Sequence, residues 1–385
     1  MREEFLPFAR PAIGERELSA VTETLASGWL TTGPRVKEFE REFAARVGAE
    51  SALAVSSCTA ALHLSLLTHR IGPGDEVITS TMTFAATANV IEHVGARAVL
   101  VDVEPDTLNI DPSAVEACIT NRTRAIIVVH YAGHPVELGR LREIAGKRGV
   151  YLIEDAAHSL PASYQGQSVG AGSNLAAFSF YATKNMTTGE GGMLTGPADL
   201  VERVRPLALH GMSRDAWKRY DKGGSWYYEV AAPGFKYNMT DPEAAMGLVQ
   251  LERLPAFSKR RREVVSRYRE GLGRQSAIQL PVERPGVEHA WHLFPIRVRT
   301  ERLRLGRDEF IDRLARLNIG TSVHFIPVHR HPYYREMYGY APEQFPVAED
   351  AFCRLISLPL DPVLSDDDVG DVIEAVNAVA DEHRM

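Results

Sequence analysis

One lysine in this chain stands where a side-chain amine could do covalent work. Lys184 follows the apolar run Ala177-Phe178-Ser179-Phe180-Tyr181 and precedes the glycine-rich turn Gly189-Glu190-Gly191-Gly192. The run reads as a short buried strand, since alternating aromatic and small residues suit a pleated surface packed on a core. Lys184 then falls in the loop beyond it. An amine held there, partly out of water, has its pKa pushed down and can attack a carbonyl to form a Schiff base. A lone lysine in a loop is ordinarily a solvated charge, so the reading needs a second group. Val150-Tyr151-Leu152-Ile153-Glu154-Asp155 supplies one, because this β-branched apolar strand ends on two adjacent carboxylates. Carboxylates at the carboxyl end of a strand in an α/β sheet point into the ligand crevice.

A lysine amine and a strand-end aspartate are the pair that pyridoxal phosphate chemistry requires. The lysine carries the cofactor, and the aspartate keeps the pyridine nitrogen protonated so that the ring can accept electrons. Lys184 and Asp155 fit these roles. The segments EDAAHS (154–159) and FSFYATKNMTTGEGG (178–192) resemble the DegT/DnrJ family of nucleotide-sugar aminotransferases. The resemblance runs from SGWLTTGP (27–34) to ISLPL (356–360). It implies an α/β, aspartate-aminotransferase-like fold (PLP fold type I), with a large, mixed, mostly parallel sheet covered by helices and a smaller α+β C-terminal unit. The expected division is 1–250 for the cofactor-binding unit and 251–385 for the smaller one.

The resemblance also distributes roles. Cys58, Thr59, Phe84, Asp155, His158, Ser179 and Lys184 are expected around the cofactor, with Asn238 completing the phosphate site of a neighbouring subunit. Thr31, Tyr131, Arg214, His324 and His329 are expected to meet substrate. It implies a keto sugar carried by a nucleotide (UDP or dTDP), L-glutamate as amino donor, and a homodimer with shared active sites. Some relatives are sugar dehydratases in which histidine replaces the lysine; Lys184 counts against that activity. A non-catalytic regulator that only binds the cofactor is a further alternative. Members acting at C3 of the sugar tend to carry HLYGQ-like and GDGG-like segments. Here His130-Tyr131-Ala132-Gly133 and the GEGG turn point to C4.

The surrounding elements must position these groups. Ser56-Ser57-Cys58-Thr59 lies between a strand ending at Val55 and a helix from Ala60 to His69, where backbone N–H groups and the helix dipole can hold a phosphate. The same residues would serve as an ordinary N-cap. A strand over Glu76–Ser80 delivers Thr83 to Thr87, with Phe84 placed to lie on a ring face. Strands over Ala98–Val103 and Arg124–His130, separated by a helix over Pro112–Thr120, give the alternation of a helix-covered parallel sheet. Leu18, Val21 and Leu25 mark a helix over Gly14–Ser27, and Arg35–Val47 a second. Leu200–Leu209 reads as another helix. The polar, aromatic stretch after it, with Arg214, Trp217, Arg219 and Tyr220, suits an anionic substrate, since guanidinium forks bind phosphate oxygens. Beyond Thr240 the sequence predicts one helix to Leu254 and a separate charged helix over Ser258–Leu272. The smaller unit is expected to hold strands at Ala290–Val298 and Ile319–Phe325 and helices at Arg307–Leu317, Phe345–Leu355 and Asp366–Glu382.

Composition sets broad limits. With 385 residues, 45% hydrophobic and 24% charged, the chain is long enough for two domains. A net charge of -7 argues against a nucleic-acid partner. No run of about 18 apolar residues is present and the N-terminus lacks the order of a signal peptide, so a cytoplasmic enzyme without membrane attachment is expected. Cys58, Cys118 and Cys353 lack CxxC spacing, and the histidines from His324 to His331 lack that of a zinc site, so no metal is expected.

Overall fold

A computed structural model describes residues 2–212 and 227–385. Its centre is a seven-stranded sheet in the order Ser51–Val55, Gly192–Gly196, Leu175–Ser179, Tyr151–Asp155, Thr123–Val129, Glu76–Ser80 and Arg97–Val101. The last five strands run parallel, whereas Gly192–Gly196 is antiparallel to both of its neighbours. This is the mixed, mostly parallel sheet that the sequence predicts. Glu76–Ser80 is buried throughout and Thr123–Val129 at all but one position, as strands covered by helices on both faces must be. The helix Cys58–Thr68 is apolar nearly all round and is correspondingly enclosed.

The smaller unit is built on a three-stranded antiparallel sheet of Ile278–Gln279, Phe294–Val298 and Leu355–Leu358, with Arg307–Arg316 and Asp366–Glu382 as helices. Its core also takes in Leu6, and Arg2 pairs with Asp368 and Asp371. The first residues of the chain therefore pack with the last.

Three expectations are corrected. The two helices read on either side of Pro255 are one helix, Asp241–Leu272. Proline removes a single N–H donor from the ladder, and packing outweighs that loss: Leu251 and Leu254 are buried before Pro255, Phe257 and Arg261 after it. The expected boundary at 250/251 lies inside this helix. Ile319–Phe325 is not a strand; its backbone makes only isolated bridges, Ile319 to Leu6 and Ser322 to Ser357. Leu200–Leu209 is helical as Ala198–Val204, followed by a short 3-10 turn at Pro206–Ala208.

The first helix, Glu15–Ala26, holds a different surprise. It buries Glu17 and Thr24, while Leu18 and Leu25 are more than half exposed, as is Leu30 just beyond. Glu17 is held inside by Arg253 and Gln250 of the long helix. Among the described residues no helix is long and apolar enough to cross a membrane.

Candidate active site

The parallel strands end together at one edge of the sheet, and the loops beyond them enclose a cavity of about 500 Å³. Tyr151–Asp155 brings two carboxylates to this edge, and the two-residue period of a strand sends them to opposite faces. Asp155 lines the cavity. Glu154 turns away and is buried against His130 (3.3 Å) and Asn174 (2.7 Å).

Asp155 is held from three sides. The Thr87 hydroxyl donates to Oδ2 at 2.7 Å, the Ala157 N–H donates to Oδ1 at 3.2 Å, and the Cys58 thiol lies 3.8 Å from Oδ1. Burial pushes its pKa up, and these donors and the Lys184 charge oppose the rise. Cys58 is a neutral thiol: burial and the neighbouring carboxylate hold its pKa well above the usual value.

Lys184 enters the same cavity from a pinned loop. Its own N–H bonds to Tyr181 O, the Thr188 N–H and Thr187 hydroxyl both bond to Phe180 O, and Asn185 Nδ2 donates to Ala290 O at 2.8 Å. The Lys184 amine makes no side-chain hydrogen bond or ion pair among the described residues. Burial lowers its pKa to about 8, against the pull of Cys58 and Asp155 in the other direction. The unprotonated amine that a nucleophile needs is therefore reached at a lower pH than for a solvated lysine.

Three imidazoles complete the wall. His158, His292 and His324 all line the cavity, and all three are driven below the ordinary histidine range by burial first, with Lys184 adding to it; His324 falls to about 4. All three are neutral at physiological pH. His158 packs on His292 (ring centroids 4.4 Å) and Phe325 (5.7 Å), and its Nδ1 is buried without a partner. His324 is fixed by Ser357 at 2.9 Å.

In the same cavity, Ser57, Cys58, Thr59 and Ser179 form a polar cup. Ser57 caps its helix by accepting from Ala60 N, leaving the foremost N–H groups to a ligand. The glycine turn makes the cup possible: a Cβ at Gly192 would sit 2.4 Å from the carbonyl carbon of Ser57. The cavity fits the cofactor implied by the sequence. It has a free amine, a carboxylate held by hydrogen bonds, ring-stacking walls and an anion cup at a helix N-terminus.

Of the residues singled out in the sequence, Cys58, Thr59, Phe84, Asp155, His158, Ser179, Lys184 and His324 come together here. Phe84 lies at the mouth, largely exposed, with its ring 5.9 Å from that of Phe325. Tyr131 is not on the wall; it is buried behind it, its hydroxyl donating to the His324 carbonyl at 2.5 Å. His329 is buried elsewhere, between Thr81 (2.6 Å) and Glu349 (2.5 Å). Thr31 and Asn238 also lie outside this cavity. Asn238 lines a separate one of about 760 Å³, where its amide donates to the Thr32 hydroxyl at 2.8 Å. Arg214 lies outside the described residues. His292 and Phe325 also line the cavity, and the sequence reading missed both. Asn185, next to Lys184, does not line it but bonds Ala290 and His292. His292 comes from a segment with no catalytic signature of its own, and only the fold carries it to Lys184.

Comparison with known proteins agrees with this geometry. The DegT/DnrJ/EryC1/StrS aminotransferase family matches residues 11–377, and the chain belongs to that family. It is therefore an aminotransferase by descent. It is 50% identical to the spore coat polysaccharide biosynthesis protein SpsC of Bacillus subtilis over 380 residues, 98% of each chain. Spr1654 of Streptococcus pneumoniae, solved in PMP and PLP forms, shares 36% identity and superposes with a TM-score of 0.92 over 98% of this chain and 99% of that one. The sugar aminotransferase CalS13 of Micromonospora echinospora, 31% identical, gives 0.87 over 97% and 99%.

Proposed function

We propose that this protein is a pyridoxal phosphate-dependent aminotransferase that moves an amino group from L-glutamate to C4 of a UDP- or dTDP-linked 4-keto sugar. One observation carries the reading. Lys184, with its amine weakened to a pKa of about 8, shares a cavity with Asp155 and an anion cup at a helix N-terminus. Sugar as the substrate class is supported by SpsC, a polysaccharide biosynthesis protein, and by CalS13, a sugar aminotransferase. The PLP and PMP forms of Spr1654 support the cofactor and its amine-carrying form.

When bound, pyridoxal phosphate supplies an electron-withdrawing ring that stabilises negative charge on the carbon losing its proton. The protein does the rest. Lys184 would hold the cofactor through its amine and, when released from it, would be the base that moves a proton. Asp155, oriented by Thr87 and the Ala157 N–H, would pair with the ring nitrogen and keep it protonated. The Ser57 to Thr59 cup and Ser179 would hold the phosphate. His158 would line the ring site, and His324 would meet substrate. Residues 1–250 hold the cofactor in this reading, and residues 251–385 close over it, supplying His292, His324 and Phe325.

Two features support a homodimer with shared sites. Leu18, Leu25 and Leu30 face outward on and beside a helix that buries its polar side, which suits a surface covered by a second copy. The Asn238 backbone bridges Val55, but its side chain bonds Thr32 and does not line the Lys184 cavity of its own chain, which suits a role at the phosphate cup of a neighbouring subunit. The enzyme is read as cytoplasmic. Regiochemistry rests on the His130 to Gly133 and GEGG segments. The test is a panel of 4-keto and 3-keto nucleotide sugars with glutamate, analysed by mass spectrometry and NMR. Nitrogen at C4 is expected; nitrogen at C3 would overturn the position alone, and no transfer to any sugar would overturn the substrate class.

A further inference from the structure

His158 lines the proposed ring site, yet its Nδ1 is buried without a hydrogen-bond partner. Its orientation depends on what packs against it. Its ring packs on those of His292, at 4.4 Å between centroids, and Phe325, at 5.7 Å. His292, unlike His158, is tied down at both backbone groups and at Nδ1. Its N–H bonds to Ala132 O at 3.0 Å, and its carbonyl accepts from Nη1 of the fully buried Arg261 at 3.3 Å. Its Nδ1 lies 3.1 Å from Asn185 Oδ1.

The last contact fixes a tautomer. Asn185 Nδ2 donates to the Ala290 carbonyl, which can only accept, so the Asn185 oxygen faces His292 and can itself only accept. The proton of neutral His292 therefore sits on Nδ1, and Nε2 carries the lone pair. Asn185 is also the residue next to Lys184. The lysine loop and the His158 wall are thus joined through one side-chain pair.

We propose that His292, locked by Asn185, is a positioning residue that sets His158 against the cofactor ring and ties that wall to the Lys184 loop. This rests on the cofactor reading above. A small displacement of a wall or nucleophile is enough to cost about a hundredfold in rate, so the pair should act on chemistry without holding the cofactor itself.

The test compares wild type, His292→Phe, Asn185→Ala and the double variant, each loaded with pyridoxal phosphate. Cofactor content is read from the visible band, ring orientation from the circular dichroism of that band, and chemistry from the rate at which hydroxylamine displaces the cofactor from Lys184. Cofactor content should be unchanged, while the dichroism diminishes and the rate falls by about tenfold or more. The two single variants should resemble each other, and the double variant should be no worse than either, because both break one linkage. Unchanged dichroism and rate per loaded site in His292→Phe, or additive losses in the double variant, would overturn the proposal. If His292→Phe does not fold, Asn185→Ala decides alone, since it removes the tie and keeps the ring. Failure here would leave Lys184→Ala inactive, so it is distinguishable from failure of the cofactor reading.

Discussion

The Lys184 cavity, of about 500 Å³, and the larger Asn238 cavity, of about 760 Å³, differ in how their charged groups are paired. Around Lys184 the ionisable groups are unbalanced: an amine without an ion pair, a carboxyl raised by burial and three imidazoles held neutral. Around Asn238 more of the polar groups are paired. Arg205 reaches both oxygens of Glu40 at 2.9 Å, and Lys236 donates to the neutral Asn238 amide oxygen at 2.5 Å, although burial raises the Glu40 pKa as it does that of Asp155. Desolvation without compensation keeps a group reactive, whereas compensation makes it quiet. On the function proposed above, the first cavity carries the chemistry and the second lends Asn238 to a neighbour's site. A second copy of the chain is what would bring the two together.

The harshest way to break this comparison is to remove the unbalanced amine. Lys184→Ala should abolish amino transfer and the covalent attachment of the cofactor, while the phosphate cup still binds it non-covalently. Any turnover without added amines would mean that the reactive cavity has been misread. Asp155→Ala comes next. Losing the carboxylate removes a charge that acts in a dry site, and the rate of conversion to the amine form should fall by about a hundredfold or more, with cofactor content less affected. An unchanged single-turnover rate would move Asp155 from a chemical role to a packing one.

A smaller effect sharpens the link between the cavities. Asn238→Ala should weaken phosphate binding, and mixing these subunits with Lys184→Ala subunits should restore one intact site per heterodimer. The site that regains activity has Lys184 from one chain and Asn238 from the other. Mixed samples that stay as inactive as the separate parents, or a monomer by light scattering, would confine Asn238 to its own chain.

How much of this was legible depends on sequence distance. Asp155 and Lys184 announce themselves locally, one at the end of an apolar strand and the other before a glycine turn that must approach Ser57 and Cys58 closely. His292 does not, because nothing within a few residues of it predicts a neighbour more than a hundred positions away. The segment from Ile319 to Phe325 alternates like a strand, yet its pairing partners are single residues of the N-terminal segment and of Leu355–Leu358. Leu18 and Leu25 have core spacing, and spacing alone does not say whether the core belongs to one chain or two. Tyr131 and His329 show the converse, since aromatic and imidazole groups beside a site were read as contacts and proved to be buried hydrogen-bonded supports.

The finest test concerns the cost of keeping Lys184 unbalanced. In the unfolded chain its amine titrates at the ordinary value of 10.5, and in the folded, cofactor-free protein at about 8. Between these values the unfolded state binds the extra proton, so folding stability gains as pH rises through the window. Below about 8 the folded protein must carry the cation in a dry cavity, and that penalty is fully present. Lys184→Met removes the amine and keeps an unbranched side chain of similar reach. It should therefore be more stable than cofactor-free wild type at pH 7, and the advantage should shrink steadily as pH is raised toward 10.5. The slope is the diagnostic quantity, because new methionine contacts shift stability equally at every pH. Denaturation midpoints of both proteins across that range measure it. A difference that does not change with pH would show that the folded-state amine titrates like a solvated lysine, and the contrast between the two cavities would lose its physical basis.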